Sequence, residues 1–296
     1  MTKDVVFSDS LSMLNTLRTK KSLSQNWLVN ETIKSRVTST VIDQITNYPD
    51  SRLLEIGVGR GDLTEHLLNH GKGKLLALEL DQESIDFIQK QNWFDEKLIE
   101  LIHTDALETL ASSSLPDQSF VLYSSLPYNV GSRILVELGQ NYPTTPFTVI
   151  VQREVAEKTN LKKNKTTFFG IWLNLFWDIK IIFNISPGNF QPVPKVTSTL
   201  IQATPKNTLP SWLQTQETRK IARKILHTLM IDSKKILSNN LINIGYTKTE
   251  ISSLLEMLKL DPKARITSEN YLSILEYILV QKNATNNTTN NTTNNI

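Results

Sequence analysis

Two short runs carry residue types that can do chemistry together. The first is Glu55-Ile56-Gly57-Val58-Gly59-Arg60-Gly61-Asp62, behind the apolar pair Leu53-Leu54. Glycines between a strand and a helix let the backbone turn tightly and approach a ligand. Glu79 closes the next apolar run, Leu75-Leu76-Ala77-Leu78; an acid about 20 residues beyond such a loop can bind ribose hydroxyls. The second run is Ser125-Leu126-Pro127-Tyr128, a cradle for a planar amine made of a hydroxyl, a carbonyl and an aromatic ring.

The glycine loop alone suits a nicotinamide or flavin enzyme equally well, or a tight turn with no ligand. A dehydrogenase has no need of the second run. The exocyclic amine of a base is a poor nucleophile, because its lone pair is delocalised into the ring. Acceptors that bind its hydrogens rehybridise the nitrogen and aim the lone pair at a sulfonium methyl. Pro127 fixes the backbone so that the Leu126 carbonyl points into the site. The Ser125 side chain is the second acceptor, and Tyr128 offers a face for stacking on a flipped base. The protonated product loses its proton to water, so no general base is required. Together the runs predict an enzyme that transfers methyl groups from S-adenosyl-L-methionine to a base nitrogen.

Further residues join this pattern. Gly57, Gly59 and Gly61 let the backbone wrap the cofactor's amino-acid end, and Glu55 can reach its ammonium. Asp105 can accept from the cofactor's adenine amino group, or simply cap a helix. Three prolines stiffen Pro187–Val196, and Phe190 within it is expected as an exposed ring, a second stacking face, unless it is a packed anchor of the loop. The arm Lys20-Lys21-Ser22-Leu23-Ser24-Gln25-Asn26-Trp27-Leu28 can fold over cofactor or RNA, unless Trp27 and Leu28 merely pin it to the core.

Elements must position these residues. Ile33, Val37, Val41, Ile42 and Ile45 recur at helical spacing between Glu31 and Thr46. Alternating units follow: strand 53–56, helix 62–70, strand 75–79, helix 82–91, strands 98–102 and 120–124, helix 131–140, strand 147–152. Such alternation predicts an α/β fold, a Rossmann-like methyltransferase sheet with helices on both faces. Residues 168–186 predict strands, or a strand and a helix, and 196–203 a terminal strand. Past Pro205 the periodicity turns helical, through Ile221, Ile225, Leu229, Leu237, Leu241, Ile251, Leu254, Leu255, Leu258, Tyr271, Ile274, Leu275 and Ile278. The expected division is a flexible lead-in (1–17), a catalytic domain (18–205), a small all-helical RNA- or ribosome-binding domain (206–282) and a disordered Asn/Thr-rich tail (283–296).

Composition narrows the classes further. A chain of 296 residues can bury two cores. With no cysteine, disulfides and thiolate metal sites are excluded. The histidines (His66, His70, His103, His227) form no ligand cluster; His66 and His70, four apart, read as a solvated helix face, and no metal is expected. No apolar run approaches the roughly 20 residues of a membrane span, and no signal-peptide core opens the chain, so a cytoplasmic protein is expected. Net charge is only +3, but Lys20-Lys21, Lys162-Lys163-Lys165, Arg219-Lys220 with Arg223-Lys224, and Lys234-Lys235 are basic clusters. Singly each is a solvated face; gathered on one side they make a phosphate track.

The order and spacing of these pieces, from about Lys20 to Ile278, resemble the ribosomal RNA adenine N6-dimethyltransferases of the KsgA type, relatives of the macrolide-resistance methylases. The shared pieces are the Lys20–Leu28 arm, Glu55–Thr64, Glu79-Leu80-Asp81, Asp105-Ala106-Leu107, Ser125–Tyr128, Val151–Glu157, Phe190–Val196 with Ser198, and Arg265-Ile266-Thr267-Ser268-Glu269. The resemblance implies that Gln25, Asn26 and Leu28 contact the cofactor beside Gly57, Glu79, Leu80, Asp105 and Ala106. It implies that Tyr128 and Phe190 sandwich the target adenine. It also implies dimethylation of two adjacent adenines in a hairpin near the 3′ end of small-subunit ribosomal RNA, with the helical domain holding RNA or subunit. A monomer is the default.

The chain departs from that family at three places. Ser125 stands where the family usually has Asn, and the shorter side chain loses or lengthens a bond worth roughly 1–3 kcal/mol, about tenfold or more in rate. Cytosine-N4 methyltransferases resemble this chain there, with Ser-Pro-Pro-Tyr. Ser24 and Trp27 replace Gly and Phe in the arm, and Ser233-Lys234-Lys235 replaces Arg-Arg-Lys. Three functions stay open: the small-subunit enzyme, a ribosome assembly factor or transcription accessory of the same fold with little catalysis, and a resistance-type methylase acting on large-subunit RNA. The Arg265–Glu269 signature and the helical domain favour the first.

Overall fold

The computed structural model describes residues 26–69, 74–116, 118–161, 166–231 and 236–280. The predicted lead-in and tail, and Gln25, Lys20, Lys21, Lys162, Lys163, Lys165, Lys234 and Lys235 of the predicted site, lie outside these residues. The chain divides into two compact units, Met1–Leu138 with Thr144–Ala156 and Asp178–Pro205, and Gly139–Pro143 with Glu157–Trp177 and Lys206–Ile296. Residues 157–177, inside the stretch expected to be catalytic, thus group with the helical part of the chain.

The first unit is built on a Rossmann-like sheet. Its strands, in chain order, are β2 (Arg52–Ile56), β3 (Leu75–Glu79), β4 (Ile99–His103), β5 (Phe120–Ser125), β6 (Phe147–Gln152), β7 (Trp177–Ile185) and β9 (Ser198–Pro205). They lie in the order β4-β3-β2-β5-β6-β9-β7. Strands β2 to β6 pair in parallel, and β9 runs antiparallel to β6, Phe147 facing Ala203 and Gln152 facing Ser198. Every residue of β3 is buried, as expected of a parallel strand covered on both faces. Strand order reverses at β2: the next two strands lie on one side of it and β5 on the other. That switch point opens a crevice at the strands' carboxyl ends.

Helices α1 (Glu31–Thr46), α2 (Asp62–Leu68), α3 (Gln82–Ile88), α4 (Ala106–Ala111), α5 (Gly131–Asn141) and α6 (Arg153–Lys158) connect the strands. Asn30 caps α1 by accepting from the Ile33 N–H, and Val37, Val41 and Ile45 turn inward. The buried Gln44 on the same face is satisfied at both ends, donating to the Ala203 carbonyl at 2.8 Å and accepting from Thr148 at 2.7 Å. Helices α2 and α3 end two or three residues before the periodicity suggested, and β9 starts two later. The short α4 and α6 carry no readable period.

The arm and the proline loop, far apart in the sequence, form one ribbon. Trp27–Leu28 (β1) pairs antiparallel with Phe190–Gln191 (β8), Leu28 opposite Phe190. This overturns the expectation of an exposed Phe190. Its ring is 2% exposed and belongs to a core with Leu28, Val37, Val41 and Ile185. A side chain on a paired strand must take one face, and burying a Phe face stabilises by about 1.5–3 kcal/mol.

In the second unit, α7 (Phe168–Phe176) gives way directly to β7, so 168–186 is a helix followed by a strand. Trp172, Phe176 and Trp177 pack edge to face. Helices α8 (Gln216–Met230), α9 (Leu237–Ile242), α10 (Lys248–Met257) and one over 271–280 follow. Thr247 and Glu250 close a capping box at α10. Two readings of α8 are corrected. Ile221 is 38% exposed, whereas Arg219 is buried. The Arg219 guanidinium donates to the carbonyls of Gln140, Leu213 and Gln214, so its charge serves the interior and offers nothing to a phosphate. Arg223 is half-buried, and Lys220 and Lys224 are exposed. No helix among the described residues is long and apolar enough to cross a membrane.

Candidate active site

The loops after β2, β3, β4 and β5 meet in one open cleft of the first unit, enclosing about 1120 Å³ with the solvent at its mouth. Asn26, Trp27, Leu28, Glu55, Gly57, Gly59, Asp62, Glu79, Leu80, Thr104, Asp105, Ala106 and Ser125 to Val130 line it. Most predicted site residues are thus brought together. Gly61 stands behind the wall and Phe190 lies in the core.

The glycine loop is shaped by φ angles that L side chains rarely adopt: +72° at Gly57, +59° at Gly59 and +80° at Gly61. At Gly61 a Cβ would fall 2.4 Å from the Trp93 ring, so conformation and space both require glycine. Backbone bonds fix the turn, the Gly57 N–H to the Leu78 carbonyl at 2.8 Å and the Gly61 N–H to Val58 at 3.0 Å.

Acidic residues stand at the ends of successive strands. Glu79 uses Oε2 to accept from the Gly59 N–H at 2.9 Å and Oε1 to accept from the N–H groups of Leu80 and Asp81, both at 2.8 Å. It therefore holds the glycine loop against β3 and still presents lone pairs to the cleft. Asp105 is the N-cap of α4, its Oδ1 accepting from the Leu107 N–H at 2.8 Å; it is a helix cap and a cleft residue at once. Glu55 is buried, and its Oε2 accepts from Thr64 at 2.7 Å and Tyr123 at 2.5 Å. Burial pushes the Glu55 carboxyl up to about 8; the Tyr123 and Thr64 bonds oppose this, and the Glu79 and Asp62 charges add to it.

The Ser125–Tyr128 segment starts on the last residue of β5. The Leu126 N–H continues the sheet by donating to the Ile150 carbonyl, and the Pro127 carbonyl accepts from Val130 and Gly131 as α5 begins. Among the described residues the Leu126 carbonyl enters none of these backbone bonds. Ser124 ties the segment to β2 by donating to the Ile56 carbonyl at 2.5 Å. Tyr128 is anchored at its tip, its hydroxyl 2.5 Å from Ser198 Oγ. Burial raises the Tyr128 phenol, and the Ser198 bond partly offsets this.

The residues fit a cofactor of the expected kind: a close-approach turn, an acid at the second strand, an acid at the third and a cradle at the fourth stand in chain order around one opening. Among the described residues no group of His, Asp and Glu is arranged to hold a metal. Sequence reasoning missed four contributors. Ser198 anchors the Tyr128 hydroxyl, Thr64 and Tyr123 hold Glu55 through hydrogen bonds, and Trp27 lines the cleft with its indole Nε1 buried and, among the described residues, without a hydrogen-bond partner.

The family described as ribosomal RNA adenine dimethylase matches residues 16–282. The chain belongs to that family. Its relatives include proteins named ribosomal RNA small subunit methyltransferase A: one from Mycoplasmopsis pulmonis, 28% identical over 266 residues (87% of this chain and 98% of the relative), and one from Persephonella marina, 28% identical over 281 residues (92% and 99%). The fold is that of solved methyltransferases. The 23S rRNA methyltransferase ErmE superposes with a TM-score of 0.60 at 18% identity, over 84% of this chain and 98% of that one. A dimethyladenosine transferase from Plasmodium falciparum gives 0.56 at 21% identity, over 85% and 89%. The chain is accordingly an rRNA adenine dimethylase by family.

Proposed function

We propose that this protein uses S-adenosyl-L-methionine to dimethylate N6 of two adjacent adenines in the 3′-end hairpin of small-subunit ribosomal RNA, as a cytoplasmic monomer. The observation that carries the reading is the convergence of Glu79, Asp105, the Gly57–Gly59 turn and Ser125–Tyr128 on one cleft. When bound, the cofactor supplies an electrophilic methyl on its sulfonium.

The protein's residues then divide the work. Glu79 is suited to the ribose hydroxyls, because its carboxylate is already held in place by three backbone N–H groups. Asp105 can accept from the adenine amino group with the oxygen not used for capping, and Ala106 and Leu80 flank it in the lining. Glu55, in the cleft lining, would take the cofactor's ammonium. The target amine donates its hydrogens to the Leu126 carbonyl and Ser125 hydroxyl, which frees its lone pair, while Tyr128 supports the flipped base. The proton leaves to water. The cleft wall of Leu126, Val130 and Ile134 keeps the electrophile from competing solvent.

For RNA, the exposed Lys220 and Lys224 and the half-buried Arg223 are candidates for phosphate contact, with the helical unit as the holding element. Names of relatives that act on the small subunit support that target over large-subunit RNA. Ser125 favours a second reading, a slow or lapsed enzyme retained as an assembly factor.

The test is methyl transfer from labelled S-adenosyl-L-methionine to undermethylated small ribosomal subunits, followed by nucleoside analysis. Dimethyladenosine in the 3′-end hairpin is expected. Tight subunit binding without methylation, with Ser125→Asn restoring turnover, would establish the second reading instead.

A further inference from the structure

Trp27 occupies the position where the resembling family carries Phe, and its difference from Phe is one N–H group. The residue is 9% exposed, and among the described residues its indole Nε1 is buried with no hydrogen-bond partner. An indole N–H can only donate, and buried donors in folded proteins are almost always matched. The ring is held from two sides. Its backbone pairs with Gln191, and the Arg60 guanidinium lies 4.4 Å from its centroid. Nε1 stands over Gly59, 3.0 Å from where a Cβ there would lie, at the glycine turn of the cleft.

No described residue supplies an acceptor to this N–H, and Trp27 stands in the lining of the cleft, where a ligand can. Glu79 and Asp105, at the ends of β3 and β4, match ribose and adenine, so the amino-acid end of the cofactor falls to the turn after β2, where Trp27 stands. The acceptor groups there include the carboxylate, the cofactor's only anionic group; the Arg60 guanidinium beside the ring is already paired with Asp62 at 3.2 Å. We propose that Trp27 is a specificity-determining residue of the cofactor site, whose indole N–H donates to the carboxylate of the cofactor. Gly59, free of a Cβ, lets the two groups approach. The inference rests on the methyl-transfer reading above.

The test compares two ligands on two proteins. S-adenosylhomocysteine carries the carboxylate; its decarboxylated analogue does not. Calorimetry with the wild-type chain and Trp27→Phe, which keeps a ring and removes the donor, is expected to show about tenfold weaker S-adenosylhomocysteine binding in the variant, about 1.4 kcal/mol. The analogue should bind both proteins within about twofold. In parallel, the Trp27 indole N–H resonance of ¹⁵N-labelled protein, assigned by its loss in Trp27→Phe, should move downfield with S-adenosylhomocysteine and stay put with the analogue. Equal losses for both ligands would make Trp27 a packing residue and overturn the inference, as would no loss for either. A folded wild-type protein that binds neither ligand would overturn the methyl-transfer reading itself, and this inference with it.

Discussion

The hydroxyls of Tyr128 and Ser198 stand 2.5 Å apart, joining residues 70 positions distant in the chain. Tyr128 opens the loop after β5, and Ser198 is the fully buried first residue of β9. The last antiparallel strand thus sets the position of the ring that the proposed reaction uses as its base platform. Ser198→Ala and Tyr128→Phe each remove this bond while keeping the ring. Each is expected to lower kcat by about tenfold, equivalent to about 1.4 kcal/mol, with KM for the cofactor unchanged. The double variant should be no slower than either single one; additive losses would show the two hydroxyls acting separately. Tyr128→Ala should abolish transfer and leave cofactor affinity intact, measured by calorimetry.

The carboxylate of Glu79 accepts three backbone N–H groups while lining the cleft. Glu79→Ala is therefore expected to weaken S-adenosylhomocysteine by about 10- to 100-fold, the range of one or two lost charged hydrogen bonds. Unchanged affinity by equilibrium dialysis would remove Glu79 from the ribose site.

Much of this site was legible because its parts are short runs at strand ends. Gly57–Gly61, Glu79, Asp105 and Ser125–Tyr128 each follow an apolar strand, and a parallel sheet collects strand ends on one side whatever the details. Contacts between distant segments were not legible. The two-residue pairing of Trp27–Leu28 with Phe190–Gln191 leaves no period to detect, and a proline-dense segment reads as a surface loop although Phe190 is core. Burial of Arg219 is equally silent in the sequence, since a basic residue at an inward helical position differs from a solvated one only through the carbonyls that meet it. Helix α7 sits in the chain before β7 and β9, so sequence order assigns it to the sheet, whereas its contacts assign it to the helical unit.

Gly61 combines a φ of +80° with a virtual Cβ 2.4 Å from Trp93. Gly61→Ala should lower unfolding stability by at least roughly 1–3 kcal/mol, the backbone strain alone, read as a lower urea midpoint. Gly188, with nothing within 4 Å of its virtual Cβ, is the control; Gly188→Ala should stay within about 0.5 kcal/mol of wild type.

Burial holds the Glu55 carboxyl near 8 against an ordinary 4.5. An acid whose folded value is raised loses stability as pH climbs from its unfolded value to its folded one, so Glu55 penalises the empty protein progressively between about 4.5 and 8. At pH 7 the carboxyl is mostly protonated, and an ammonium arriving beside it favours the ionised form. S-adenosylhomocysteine, which carries that ammonium, should therefore release close to one proton on binding at pH 7 and bind more tightly as pH rises toward 8. Calorimetry in buffers of different ionisation enthalpy measures the proton directly. In Glu55→Gln the release should vanish; a release that persists would place the titrating group elsewhere.

Ser125 lines the cleft at the end of β5, half-buried, and its hydroxyl reaches less far than an amide. If the Leu126 carbonyl already takes one amine hydrogen, the second depends on residue 125 alone. Ser125→Asn lengthens that acceptor into an open cleft without touching the Tyr128–Ser198 bond. It should raise kcat at saturating cofactor by about tenfold or more, the kinetic equivalent of one well-formed hydrogen bond of about 1–3 kcal/mol. Ser125→Ala should lower it. The two substitutions moving single-turnover rates in opposite directions would identify the side chain as an acceptor for the amine. A rate that ignores both would leave the Leu126 carbonyl as the sole orienting group, with the hydroxyl merely filling space at the strand's end.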